Sequence, residues 1–206
     1  MIVIPGTIIA ILTFPGVIMH EYAHKLACEK TGVRVYEVCY FRLGNPVGYV
    51  QHAPPRTYKQ AFLITVAPFL VNSIIAIAIF IIALMTPITF EIWKIKVRYI
   101  LYWLGVSIAM HAFPSSHDAK NLWDFTWRVW KRKPYILLGL PIVALIYLAN
   151  LLSYIWFDLI YALFLLISIV SLVKVSQTDP IINLAKEIID IVYKNIKTYS
   201  KYIHNK

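Results

Sequence analysis

Long apolar stretches separated by short polar segments dominate the sequence. The first of them, residues 2–19, contains no charged side chain. A helix needs about 20 mostly apolar residues to cross the roughly 30 Å hydrocarbon core of a bilayer. The pattern therefore predicts about five transmembrane helices, over residues 2–26, 58–85, 99–112, 135–153 and 155–174.

The segments between and after these stretches have other patterns. Over residues 33–50, β-branched and aromatic residues mix with charged ones, and Gly-Asn-Pro at 44–46 is typical of a turn. This predicts a small membrane-associated β-hairpin. Asp-Pro at 179–180 is typical of a helix start, and the apolar stripe after it predicts an amphipathic helix on the membrane. The predicted fold is an all-α polytopic membrane protein, with a transmembrane domain over residues 1–175 and a cytoplasmic C-terminal helix over 176–206.

The composition agrees with a membrane protein. Hydrophobic residues make up 60% of the chain, charged residues only 15%, and the mean hydropathy is +0.68. These values lie outside the range of soluble domains. The first apolar stretch lacks the basic start and the cleavage site of a signal peptide, so we interpret it as a retained helix. Cys28 and Cys39 do not indicate a disulfide framework and are expected to be reduced.

One stretch places demanding chemistry in an apolar helix, namely His-Glu-Tyr-Ala-His at residues 20–24. His20 and His24 are four residues apart, so on a helix both imidazoles project from one face and can bind one metal ion. Glu21 lies beside them, where a carboxylate can act on a water molecule without being a ligand. The H-E-x-x-H pattern is the zincin signature. It arises by chance in roughly one chain of this length in a hundred, so a metal site is the favoured interpretation.

A catalytic zinc ion usually has three protein ligands, so a third must come from elsewhere. The candidates near the end of the third predicted span are Asp118, His117 and His111. We prefer Asp118, whose charge would offset that of the metal, and keep His117 as the alternative. Asp118 is also a plausible N-cap for the helix that follows it. Asp158 is given less weight, because a five-span topology puts it on the opposite side of the membrane.

The charge distribution predicts an orientation. The net charge is +10, and the basic residues fall between and after the apolar stretches. That is where the positive-inside rule places them, so we attribute the charge to topology and to attraction for anionic lipid, with no nucleic-acid partner. With five spans, the N-terminus is expected outside. The C-terminus and the end that carries both the HExxH motif and Asp118 are expected in the cytoplasm.

Asn72 is a further polar side chain inside a predicted span. Two interpretations stay open for it. Its amide can be satisfied by a neighbouring helix, or it can donate to a substrate carbonyl or the corresponding oxyanion. On the second interpretation, Asn72 is a candidate substrate-binding residue.

The order of these elements resembles the site-2 protease family of intramembrane zinc metalloproteases. That family has HExxH on an early span, then a membrane-associated hairpin, a G-P-x-x-N-like element on the next span, and an aspartate ligand near the end of a later one. Ala67 stands where that family has glycine, Ser-Ser-His precedes Asp118, and Ala119 replaces a glycine. The chain therefore resembles a divergent branch. The corresponding segments, which cover roughly the first 120 residues, are 20–24, 32–50, 67–72 and 114–118.

The resemblance implies a zinc metalloendopeptidase that hydrolyses peptide bonds in transmembrane segments of other membrane proteins. One zinc ion would be held by His20, His24 and Asp118, and Glu21 would be the general base for a zinc-activated water. The hairpin around residues 48–50 (Gly48, Tyr49 and Val50) would hold the unwound substrate as an added strand. The alternative is a non-proteolytic membrane protein with a structural or transported metal ion. A structural zinc, however, has no use for a general base.

Overall fold

The chain is mostly helical. The computed structural model describes residues 6–87, 89–92, 95–173 and 180–204. Two short 3-10 segments span Pro134–Gly139 and Ser153–Ile155. The helices are α1 (Gly6–Leu12), α2 (Phe14–Thr31), α3 (Tyr58–Met85), α4 (Val97–Met110), α5 (Ser116–Val129), α6 (Leu140–Leu152), α7 (Phe157–Val173) and α8 (Pro180–His204). The strands are β1 (Val35–Cys39), β2 (Tyr49–His52), β3 (Glu91–Ile92) and β4 (Ile95–Lys96).

The predicted hairpin is confirmed. α2 ends at Gly32, whose φ of 73° is left-handed and whose N–H donates to the carbonyl groups of the last helical turn. The chain then forms β1 and β2, which pair antiparallel with Val38 opposite Val50 and Cys39 opposite Tyr49. A second small antiparallel sheet joins β3 to β4. The α2–β1 turn thus places the hairpin directly beside the helix that carries the HExxH motif.

The apolar helices suggest membrane association, with fewer candidate spans than the five predicted. Two described segments, Tyr58–Met85 and Pro134–Ile155, are long and apolar enough to cross a membrane. The pair α1 and α2 also qualifies if their 90° bend lies within one span. α4 and α7 are apolar but have only 14 and 17 residues. The reason is local: α4 stops shortly before Pro114, and α7 starts after Trp156, whose φ is 65°.

α6 and α7 lie end to end beside α3, with α6 near its start and α7 near its middle and end. They do not turn back as an antiparallel pair. Gly139, just before α6, lies against Tyr58 at the start of α3. Tyr161 in α7 is hydrogen-bonded to Ser73, in the middle of α3, with 2.7 Å between the two hydroxyl oxygens. The two apolar stretches 135–153 and 155–174 thus lie one after the other beside α3.

The largest core cluster joins α3, α4 and α7 in the half of the bundle away from the hairpin. Phe80 is completely buried there, and a Cβ at Gly105 of α4 would overlap its ring, so glycine permits this close helix contact. α8 adds Ala185, which is 2% exposed, to the same cluster. One face of α8 thus packs on the bundle. Its placement on a membrane stays a prediction, and the predicted cap at Asp179 lies outside the described residues.

Candidate metal centre

The HExxH motif lies in the middle of α2, where that helix contacts α4 very closely. A Cβ at Gly16 would overlap the carbonyl oxygen of Ser107 and lie 2.6 Å from Nδ1 of His111. Only glycine fits this contact without a shift of one helix. One turn after Gly16, the imidazole of His20 therefore lies beside the end of α4.

His20, His24 and Asp118 form a group that could hold a metal ion. The Nε2 atoms of the two histidines are 3.2 Å apart, and Nε2 of His24 is 3.5 Å from Oδ2 of Asp118. One ligand atom from each residue lies within 4.8 Å of the others. A tetrahedral zinc ion with bonds of about 2.0–2.1 Å separates its ligands by about 3.3 Å. The observed spacing therefore fits such an ion.

Both imidazoles are oriented by main-chain carbonyl groups. Nδ1 of His20 lies 2.8 Å from the carbonyl oxygen of His111, and Nδ1 of His24 lies 3.0 Å from that of Ile64. Donation from Nδ1–H assigns the tautomer that leaves Nε2 with its lone pair for a metal. The two Nε2 atoms are also the ones that face each other. This donor chemistry is an independent sign that the residues fit a metal.

Asp118 is the third residue of α5, and Ser115 is the N-cap. The Asp118 carboxylate accepts hydrogen bonds from the N–H and the hydroxyl of Ser115, at 2.8 and 2.6 Å. The Ser115 hydroxyl in turn accepts from the N–H of Asp118 at 3.2 Å, which completes a capping box. The prediction that Asp118 is the N-cap is therefore wrong, because Ser115 holds that position, but the capping contacts of Asp118 are compatible with its role as a ligand. The cap fixes the carboxylate that faces His24.

The other two candidate ligands line the same cavity but are not part of the donor group. His117 is exposed and does not belong to the donor group. The ring of His111 bonds to the carbonyl oxygen of Ser107 at 3.0 Å. Its contribution to the site is its own carbonyl group, which orients His20. The structure thus brings Asp118, and not His117 or His111, to the two motif histidines.

Asn72 is completely buried and does not line the metal cavity. Its side-chain nitrogen donates to the carbonyl oxygens of His111 and Ile108, at 2.9 and 3.3 Å. The position of Asn72 therefore does not support the predicted role as a donor to substrate. Its amide hydrogens already form hydrogen bonds to main-chain carbonyl groups at the end of α4. Asn72 instead holds the carbonyl group that orients His20. No sequence pattern indicates that Asn72 acts on His20 through the carbonyl group of His111.

A cavity of about 960 Å³ surrounds the centre. Glu21 lines it next to the three donors, and its carboxylate forms no hydrogen bond with the described residues. Gly48 packs against Glu21, since a Cβ there would lie 2.8 Å from Cγ of Glu21. Tyr49 and Val50 of β2 also line the cavity, and their predicted role in holding a substrate strand stays a prediction. One edge of β2 pairs with β1, and no other described strand pairs with its second edge.

Two residues at the far wall of the cavity were missed or given little weight. Asp158, placed on the opposite side by the five-span prediction, lines the same cavity as Glu21. Asn150 donates to the carbonyl oxygen of Pro114 at 2.9 Å, just before the capping box of Asp118. The sequence did offer a signal for Asn150, because its amide is a polar group inside the apolar stretch 135–153.

Comparison of the chain with protein-family models, with curated proteins and with solved structures gives no match.

Proposed function

We propose that this chain is an intramembrane zinc metalloprotease. The observation that carries the proposal is the donor group itself: two imidazoles oriented by main-chain carbonyl groups, and the Asp118 carboxylate held by its capping box. A further carboxylate, that of Glu21, lies beside this group and has no hydrogen-bond partner among the described residues. Two histidines and a carboxylate are a typical ligand set of catalytic zinc sites, which keep a fourth position open. When bound, a zinc ion supplies a Lewis acid that polarises a carbonyl group and acidifies water.

Glu21 is the general base in this proposal. Its carboxylate faces the cavity beside the donor group and is not one of the donors. From this position it takes a proton from the attacking water and later delivers it to the leaving amine. Gly48 supports its side chain from the hairpin. A purely structural metal site needs no such group.

The second edge of β2 supports a peptide-bond substrate. An extended segment added to that edge would run along the cavity wall formed by Tyr49 and Val50. A transmembrane helix has to unwind before its carbonyl groups can be attacked, and strand addition offers the unwound backbone hydrogen-bond partners. The substrate class that fits is therefore a transmembrane segment of another protein.

We further propose that α3 crosses the membrane, with α2, α4 and the pair α6 and α7 packed along it and the charged outer face of α5 turned to water. α5 runs beside the first half of α3, with Thr65 hydrogen-bonded to the carbonyl group of Asp118. The charge bias around the hairpin and at residues 120–133 favours the cytoplasm for that end of the bundle.

The decisive experiment measures zinc content and cleavage of a transmembrane peptide by the full chain in detergent. Glu21→Gln should keep about one zinc per chain and lose cleavage by roughly 100-fold or more, the scale of general-base catalysis. His20→Ala should lose both. Full cleavage by Glu21→Gln would refute the assigned base. Zinc without cleavage of any membrane-protein segment would favour a structural or transported metal.

A further inference from the structure

A second cavity, of about 560 Å³, lies where the first turn of α3 meets the end of α5 and the 3-10 segment Pro134–Gly139. It shares no lining residue with the metal cavity. The first turn of α3 is well defined there, because Thr57 and Gln60 form a reciprocal capping box. The cavity is therefore a separate feature of the fold, formed by three different segments of the chain.

All charged side chains that line this cavity are cationic. Arg56, Lys59 and Lys133 line it, and no aspartate or glutamate does. Neither of the ion pairs found among the described residues involves these three side chains. The N-terminus of the long helix α3 adds a partial positive charge at the same place. Three cations without a carboxylate partner favour an anionic ligand.

The remaining wall of the cavity is apolar and aromatic. A small inorganic anion has no apolar part to contact such a wall. Phe62, Phe125 and Ile142 line its inner part. Leu138 and Tyr135, at its edge, are 81% and 64% exposed. A ligand that matches both parts has an anionic head and a hydrocarbon chain.

The position along the bundle identifies the source of such a ligand. α3 is one of the two described segments long and apolar enough to cross a membrane, and the cavity lies at its first turn. That is the depth at which lipid headgroups meet acyl chains. Exposed tyrosine beside lysine and arginine is typical of this interface.

We propose that this cavity binds one anionic phospholipid, with its phosphate between Arg56, Lys59 and Lys133 and an acyl chain along Phe62 and Phe125. The lipid fastens α5 to the start of α3. Because Asp118 is the third residue of α5, lipid binding steadies the helix that supplies the third metal donor. The binding site itself does not depend on the metal or on proteolysis.

The test is native mass spectrometry of the detergent-solubilised full chain titrated with phosphatidylglycerol and, separately, with phosphatidylcholine. Each cation near an anionic headgroup contributes about fivefold in affinity. Phosphatidylglycerol should thus bind about 100-fold more tightly than phosphatidylcholine. The variant Arg56→Gln/Lys59→Gln/Lys133→Gln should lose that preference. A matched variant that removes three exposed cations outside the cavity, Lys30→Gln/Lys120→Gln/Arg128→Gln, should keep it.

Equal affinity for the two lipids, or the same loss in the matched variant, would overturn the proposal. Displacement of the lipid by excess inorganic phosphate would show a simple phosphate site and would also overturn the lipid assignment. Leu138→Glu provides a second variant, because this exposed position tolerates a charge and the new carboxylate should repel the headgroup. Its phosphatidylglycerol affinity should fall at least fivefold, and an unchanged affinity would contradict the proposed position. None of these measurements involves zinc or cleavage.

Discussion

The contact between Gly48 and Glu21 gives the sharpest test of the catalytic geometry. In Gly48→Ala, the new Cβ would lie 2.8 Å from Cγ and 3.1 Å from Oε1 of Glu21, and 3.1 Å from the carbonyl oxygen of Tyr40. Carbon atoms in contact are normally about 3.5–4.0 Å apart, so the Glu21 side chain or the hairpin has to move by about 1 Å. A shift of that size in a catalytic group costs about 100-fold in rate. No metal donor is touched, so zinc content should stay the same.

The assay compares kcat/KM for a transmembrane peptide with zinc content in the same preparation. Gly44→Ala is the matched control, because it lies in the same hairpin and its Cβ would meet only the Arg42 side chain, at 3.6 Å or more. We expect near-normal cleavage from the control and about a 100-fold loss from Gly48→Ala. If the two variants cleave equally well, Glu21 is not held by the hairpin. If Gly48→Ala loses zinc, the hairpin supports the donors and not the base.

Three further predictions follow from the contacts of the centre and the course of the helices. Asn72→Ala should lower zinc affinity about 10- to 100-fold in competition with a chromophoric chelator, because the His111 carbonyl group that orients His20 loses its hydrogen bond. Normal affinity would show that Asn72 does not support His20. Ser115→Ala should cost about 0.5–2 kcal/mol in denaturant unfolding and weaken zinc binding, whereas His117→Ala should change neither. Single cysteines at positions 133 and 190 should be labelled from opposite sides of the membrane; labelling from the same side would restore the five-span topology.

The donors of the centre could be predicted from the sequence because each depends on a short-range pattern. The i, i+4 spacing puts His20 and His24 on one face of any helix. Asp118 was identified by its position after the third apolar stretch and was preferred over His117 because its charge would offset that of a metal. In the structure, the capping box directs this third residue of α5 back over the helix start. The hairpin followed from residue type and from the turn at 44–46. In each case, local chemistry and tertiary structure agree.

The supports of the centre could not be predicted, because they depend on which helices meet. Asn72 and His111 lie 39 residues apart, and only the packing of α3 against α4 brings the amide to the carbonyl group. Gly16 has no pattern of its own until α4 is placed beside it. The arrangement of the last two apolar stretches was missed for a related reason. Hydropathy marks apolar stretches 135–153 and 155–174 but does not say whether the chain reverses between them.

The two interruptions of the helices have a common explanation. Main-chain groups released from a helix at membrane depth are tolerated where they are buried in protein or line a water-filled space. The break between α4 and α5 and the break between α6 and α7 both contribute to the cavity, through Ser115 and Trp156 among others. At the first break, the freed carbonyl groups of His111 and Pro114 bind His20 and Asn150. The first interruption thus supplies the carbonyl group that orients His20, and in the proposed protease both would border the hydrated space from which Glu21 would draw its water.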